Sequence, residues 1–164
     1  QARPLVDESL AGLVTMAESV RWEPVIAVTA LFEEIAWPAF DGIFVNDDPV
    51  LTWIANDGSR RGDDAPVLVA HVHPVLAARH LADPLTVLPA AIAAIRRVLG
   101  TDAQPVWTDV QRWTYARPLA AHPDECALLS GMPIGMAGDA WADGPRIEAA
   151  WRSGRALGKA LASR

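Results

Sequence analysis

Asp139 and the helix start that follows it have the residue types and spacing best suited to holding a ligand. Gly135-Met136-Ala137-Gly138-Asp139-Ala140-Trp141 reads as a short apolar strand ending in Gly-Asp. A loop follows, then Gly144-Pro145-Arg146-Ile147-Glu148-Ala149-Ala150-Trp151, a helix opened by proline. An aspartate at a strand end can accept hydrogen bonds from ligand hydroxyls. A helix start offers N–H groups without intrahelical partners and the positive end of the helix dipole. Gly154 and Gly158, one turn apart, would let this helix approach another backbone closely. A plain strand–loop–helix unit whose aspartate caps a turn carries the same local pattern, so both readings stay open on these residues alone.

Other candidates lie upstream. In Gln111-Arg112-Trp113-Thr114-Tyr115-Ala116, strand alternation puts Trp113 and Tyr115 on one face and Arg112 on the other. His71 sits within an apolar strand, and Arg60-Arg61 within a polar segment. Core packing would equally account for Trp113, Tyr115 and His71. The arginine pair reads either as a solvated loop or as an anion contact. His71, His73 and His80 have no cysteine or carboxylate at a recognised metal spacing, so no metal is expected. Cys126 shows no sign of activation and reads as an inert thiol.

The elements that must position these residues follow from periodicity. Leu5, Leu10, Leu13, Val14 and Ala17 predict a helix over 5–19. The β-branched run 24–32 predicts a buried strand. Residues 42–45 and 51–55 read as two short strands about the Asn46-Asp47-Asp48-Pro49 turn. Residues 56–65, with Gly58 and Gly62, read as a loop, and 67–72 as the next strand. Asp83-Pro84 is a helix start with Asp83 as N-cap, and Gly100 is its stop. Residues 105–115 read as a strand and 126–137 as a hairpin. The last helix starts near Pro145, with Ile147, Ala150, Trp151, Gly154, Gly158 and Leu161 on one face. The sum is an α+β fold: a mixed, largely antiparallel sheet with flanking helices.

Composition sets the outer limits. A chain of 164 residues, 51% hydrophobic and 21% charged, can bury a sizeable core. A net charge of −6 argues against a nucleic-acid partner. No apolar run approaches the roughly 20 residues of a membrane span, and no signal peptide is visible. Cys126, the single cysteine, excludes an internal disulfide, and the expected compartment is a reducing cytoplasm. Seven tryptophans stand against one tyrosine, and Lys159 is the only lysine among 14 basic residues, an Arg-rich usage typical of GC-rich, bacterial coding.

The C-terminal stretch resembles the terminal FAD motif of the flavin-containing amine-oxidase superfamily: Gly-Asp, a spacer, a hydrophobic residue, Glu, then Ser-Gly, here Gly138-Asp139, Ile147-Glu148 and Ser153-Gly154. Ala149 stands where the family has glycine. Gln111-Arg112-Trp113-Thr114-Tyr115-Ala116, the segment Asn56 to Gly62 after Trp53-Ile54, and Val69-Ala70-His71 with a helix start at His80-Leu81 resemble the renalase-like branch. The resemblance implies a two-electron oxidoreductase in which hydride passes from a small substrate to FAD and then to dioxygen. It implies FAD contacts at Gly138, Asp139, Ala140, Trp141, Arg146, Ile147 and Ala150, with Asp139 on the ribityl chain. It implies substrate contacts at His71, Arg112, Trp113 and Tyr115.

The family's glycine-rich nucleotide turn is absent, since no G-x-G-x-x-G occurs. The expected organisation is therefore a substrate-binding portion over 1–125 and a C-terminal return into the FAD-binding domain over 126–164. The N-terminal FAD-binding segment would be a missing partner, and the chain alone would be inactive. Lys159 lies far along the last helix, so the lysine that amine-oxidase relatives place near the flavin has no counterpart. That favours a dihydronicotinamide substrate over an amine, because hydride loss from a dihydropyridine needs no strong base. The alternative is a non-catalytic α+β binding or interaction module without flavin.

Overall fold

β-branched and aromatic residues recur in short runs between residues 22 and 118, and these runs build a sheet. The computed structural model describes residues 3–163. In chain order the elements are α1 (Ala11–Ser19), β1 (Trp22–Leu31), β2 (Gly42–Phe44), β3 (Leu51–Asn56), α2 (Asp57–Arg61), β4 (Val67–Val72) and α3 (Pro74–Arg79). There follow α4 (Leu88–Leu99), β5 (Trp107–Pro118), β6 (Ala127–Leu128), β7 (Gly135–Met136) and α5 (Ile147–Ala162). The fold is α+β, as the sequence implies. The chain divides into an inserted unit, Pro24–Thr114, and a terminal unit made of the residues before 24 and after 114. These limits of compactness differ from the functional division expected at residue 125.

In the inserted unit the strand order is β2-β3-β4-β1-β5. The pairings of β2 with β3, β3 with β4 and β4 with β1 are all antiparallel. One sheet face is the core. Ile26, Val28, Leu51, Ile54, Leu68, Ala70 and Val72 are fully buried there, with Ala91, Ala94 and Ile95 of α4 in the same cluster. The β2–β3 turn is held by Asp48, whose carboxylate accepts the N–H groups of Val50 (2.8 Å) and Leu51 (2.9 Å) and pairs with Arg97.

Three local expectations are corrected in this unit. The loop over 56–65 contains α2: Asn56 caps it by accepting the Ser59 N–H, and Gly62 ends it at φ 76°. Gly58 is a packing residue, because an added Cβ would lie 2.6 Å from Ala65 N. The helix expected from Asp83 begins as a 3-10 turn, Pro84–Val87, and Asp83 makes no side-chain cap. Pro89 removes an N–H that a helix running from 84 would need, so α4 starts afresh with proline in its first turn. His80, where the resemblance puts a helix start, closes α3 as its C-cap.

The terminal unit is built on the small hairpin of β6 and β7, paired Ala127 to Met136 and Leu128 to Gly135. Leu13, Ala127, Met136, Ala140 and Trp141 form its core. The helix expected over 5–19 is cut to α1 and a 3-10 turn at Arg3–Leu5. Between them Asp7 accepts from the Ser9 N–H and hydroxyl, a local turn that competes with helix. The face expected of α5 is also corrected. Ile147 is 93% and Trp151 61% exposed, while Ala149 and Ser153 are buried. The reason is close packing on small residues: a Cβ at Gly135 would collide with Ala127 O and with Leu157 of α5. Among the described residues no helix is long and apolar enough to cross a membrane.

Candidate functional site

The turn that leaves β7 is fixed by backbone contacts on two sides. The Gly138 N–H donates to the buried Ser153 hydroxyl of α5 at 3.2 Å. The Trp141 N–H donates back to Gly138 O at 3.2 Å, and the His122 N–H donates to Ala140 O at 2.7 Å. Ala140 and Trp141 are buried. These contacts satisfy the turn without the Asp139 side chain. That carboxylate is half-buried, and no donor or cation among the described residues partners it. Gly138 has no positive φ, and a Cβ there would meet only the Trp141 ring, at 3.9 Å. Its backbone therefore borders open space rather than packed protein.

Between this turn and α5, Ala142, Asp143 and Gly144 adopt φ values of 54°, 78° and 106°. Two adjacent non-glycine residues in the left-handed region cost about 1–3 kcal/mol each, and such strain clusters where function fixes the backbone. Asp143 pairs with Arg152 at 2.6 Å. Arg146 is the extended N-cap of α5 and supplies no side-chain cap. The Arg146 N–H bonds Gly144 O, and the Ala150 N–H bonds Arg146 O. The N–H groups of Ile147, Glu148 and Ala149 have no acceptor among the described residues. Trp141 Nε1 is likewise buried with no hydrogen-bond partner, its ring 6.0 Å from that of His122. An unpartnered carboxylate, unpaired N–H groups at a helix start and an orphaned indole donor thus occur within one short stretch of chain.

The upstream candidates fall in both units. His71 on β4 faces Trp53 on β3, ring centroids 5.0 Å apart, and burial lowers its pKa below the ordinary 6.5. Arg112 donates to the Leu81 carbonyl at 2.7 Å, which engages its guanidinium in the inserted unit. Trp113 is about half exposed. Tyr115 belongs to the terminal unit and packs edge-on to Trp22 at 6.3 Å. Arg61 pairs with Asp57 (3.1 Å) and Asp63, while Arg60 lies 3.7 Å from Asp57 and over the Trp53 ring.

The remaining histidines have local structural partners. His73 Nδ1 caps α3 through the Val75 N–H, and His80 bonds Thr86. Among the described residues no group of three His, Cys, Asp or Glu side chains could hold a metal ion. Burial, then Glu125 and Asp124, raises the Cys126 pKa, which opposes thiolate formation. Sequence reasoning passed over His122 and Trp53. No motif marks His122, whereas the placement of Trp53 opposite His71 follows once the β3–β4 register is known.

No protein-family model matches this sequence. Among solved structures, the whole chain (100%) superposes on 40% of the chain of a protein from Exiguobacterium sp. 255-15 named "Putative protoporphyrinogen oxidase", with a TM-score of 0.69 at 16% sequence identity. The likeness is one of fold. The chain spans about two fifths of that neighbour's length.

Proposed function

We propose that this chain is the substrate-side and C-terminal part of a flavin-dependent oxidoreductase. The observation that carries the reading is the Asp139 carboxylate, left without a partner among the described residues by a turn that other hydrogen bonds hold. A carboxylate in that state is suited to accept two or three hydrogen bonds from the hydroxyls of a sugar-alcohol chain, each charge-assisted. Gly138 leaves room for such a chain. Ala140 and Trp141 wall the turn, and the orphaned Trp141 Nε1 is a donor in need of an acceptor. The free N–H groups at Ile147 and Glu148, with the positive helix end, suit the electron-rich edge of a flavin ring. Arg146 and Ala150 flank that start. These residues fit FAD, which when bound would supply the hydride-accepting centre.

The chain's own contribution would be orientation. Asp139 and α5 would hold the cofactor; His71, Arg112, Trp113 and Tyr115 are the proposed contacts for a small substrate, a dihydronicotinamide or an amine. The adenosine and pyrophosphate contacts would come from a glycine-rich FAD-binding segment. On α5, Ile147 and Trp151 offer that segment an apolar surface. Gly154 and Gly158 add bare backbone, since an added Cβ at either meets nothing within 4 Å. The same exposed face supports a second reading, a non-catalytic interaction module.

The test is an FAD titration of the chain followed by quenching of flavin fluorescence. Uptake is expected to be weak. Asp139→Ala should weaken it further, about ten- to hundredfold, from the loss of roughly 1.5–3 kcal/mol of charge-assisted bonding. Equal uptake by parent and variant would overturn the flavin reading, and no uptake by either favours the interaction module.

A further inference from the structure

The sheet of the inserted unit has a second face, and its residues are of a different kind from those of the core. Cross-strand partners share a face. Phe44 lies opposite Trp53, Trp53 opposite His71, and His71 opposite Ala27, so the four form one row across β2, β3, β4 and β1. The adjacent row, Ile43, Ile54, Ala70 and Val28, points into the core. Phe44 is 83% exposed, and Trp53 and His71 are half-buried. The Trp53 and His71 planes meet at 46°, so the two rings form an open V rather than a closed stack. The Trp53 ring lies against Gly42, which leaves it a bare backbone floor.

Two polar groups border this row. Neither ring nitrogen of His71 has a hydrogen-bond partner among the described residues, and burial keeps the ring neutral near pH 7, with one donor and one acceptor. The Arg60 guanidinium sits 5.9 Å from the Trp53 ring centre. Its link to Asp57 is long, 3.7 Å, while Arg61 lies 3.1 Å from the other oxygen of that carboxylate. Arg60 therefore has guanidinium donors to spare beside an aromatic face.

We propose that Trp53, His71 and Arg60 form a binding surface for a flat aromatic molecule that carries an anionic group. The ring would lie against Trp53, a polar ring edge would meet the imidazole of His71, and the anion would pair with Arg60. All three residues belong to the inserted unit; His71 is shared with the substrate contacts proposed above, whereas the surface is argued from Trp53, His71 and Arg60 themselves and does not depend on the flavin reading of Asp139.

The test uses the full chain and the ring signals of its four histidines in NMR spectra, with that of His71 assigned through His71→Gln. The probes are 2-naphthoate and the neutral 2-naphthylmethanol. The expected result is a saturable shift of the His71 signal with 2-naphthoate, at least about tenfold tighter than with the alcohol. Arg60→Gln, at a half-exposed position that should not disturb folding, should bring the acid down to the level of the alcohol. Trp53→Leu should weaken both probes. The proposal is overturned if 2-naphthoate leaves His71 unmoved, if acid and alcohol bind alike to the parent, or if Arg60→Gln keeps the preference for the acid.

Discussion

Ser153→Ala isolates a hydrogen bond that ties the Gly138–Trp141 turn to α5. Ser153 is 0% exposed, and its hydroxyl accepts the Gly138 N–H at 3.2 Å. Alanine keeps the helix propensity and removes a single oxygen, so the main loss is the acceptor. A buried N–H left without one costs about 1–3 kcal/mol. Gly138 is only half-buried, and water can replace part of the bond, so about 1–2 kcal/mol is expected. For a chain of this size each 1 kcal/mol moves the melting point by about 2–4 °C, which gives a fall of about 2–8 °C. In urea the midpoint should drop with the slope unchanged. The Gly138 amide should exchange with solvent about tenfold faster for each 1.4 kcal/mol lost. A variant with the parent's midpoint and the parent's Gly138 exchange rate would refute the claim that this bond anchors the turn.

Two further outcomes follow from the inserted unit. Gly58→Ala should cost about 2–3 kcal/mol in chemical denaturation, because its Cβ would collide with the backbone of Ala65, which cannot swing away as a side chain could. Asp48 is opposed by burial, yet the Leu51 and Val50 N–H groups and Arg97 outweigh it and hold its pKa below the ordinary 3.8. Stability from that carboxylate is thus present above the ordinary value and lost as pH falls through the lowered one. Asp48→Asn should remove this part of the acid dependence, read from urea midpoints taken between about pH 2 and 6.

Where one residue type decided one conformation, the sequence was legible. The runs at 24–32 and 67–72 became β1 and β4, and Gly100 ended α4 at φ 65°. It was misleading where a residue had two uses. Gly58 reads as a loop former, but it is small so that Ala65 can pass beside it, and Asn56 had already begun a helix. Ile147 and Trp151 have the spacing of a buried stripe, yet the hairpin beneath α5 is so narrow at Gly135 that Ala149 and Ser153 face it instead. In the candidate site the positions of Gly138 and Asp139 were readable from local pattern. The release of Asp139 from structural duty was not, because it depends on the Ser153 hydroxyl as an acceptor and the His122 N–H as a donor, both distant in sequence.

The nesting of one unit inside the other sets an order of events on the ribosome. Glu23 and Arg117, joined by an ion pair, are separated by 94 positions, and the Arg21 carbonyl waits for the Leu119 amide. The segment between is Pro24–Thr114, the inserted unit, whose strands β1 to β4 are all made before either of those late partners emerges. Emerging at roughly 5–20 residues per second, the first helix and its strand end spend several seconds without their counterparts. During that interval Leu13, Val14 and Trp22 are apolar surface in search of cover.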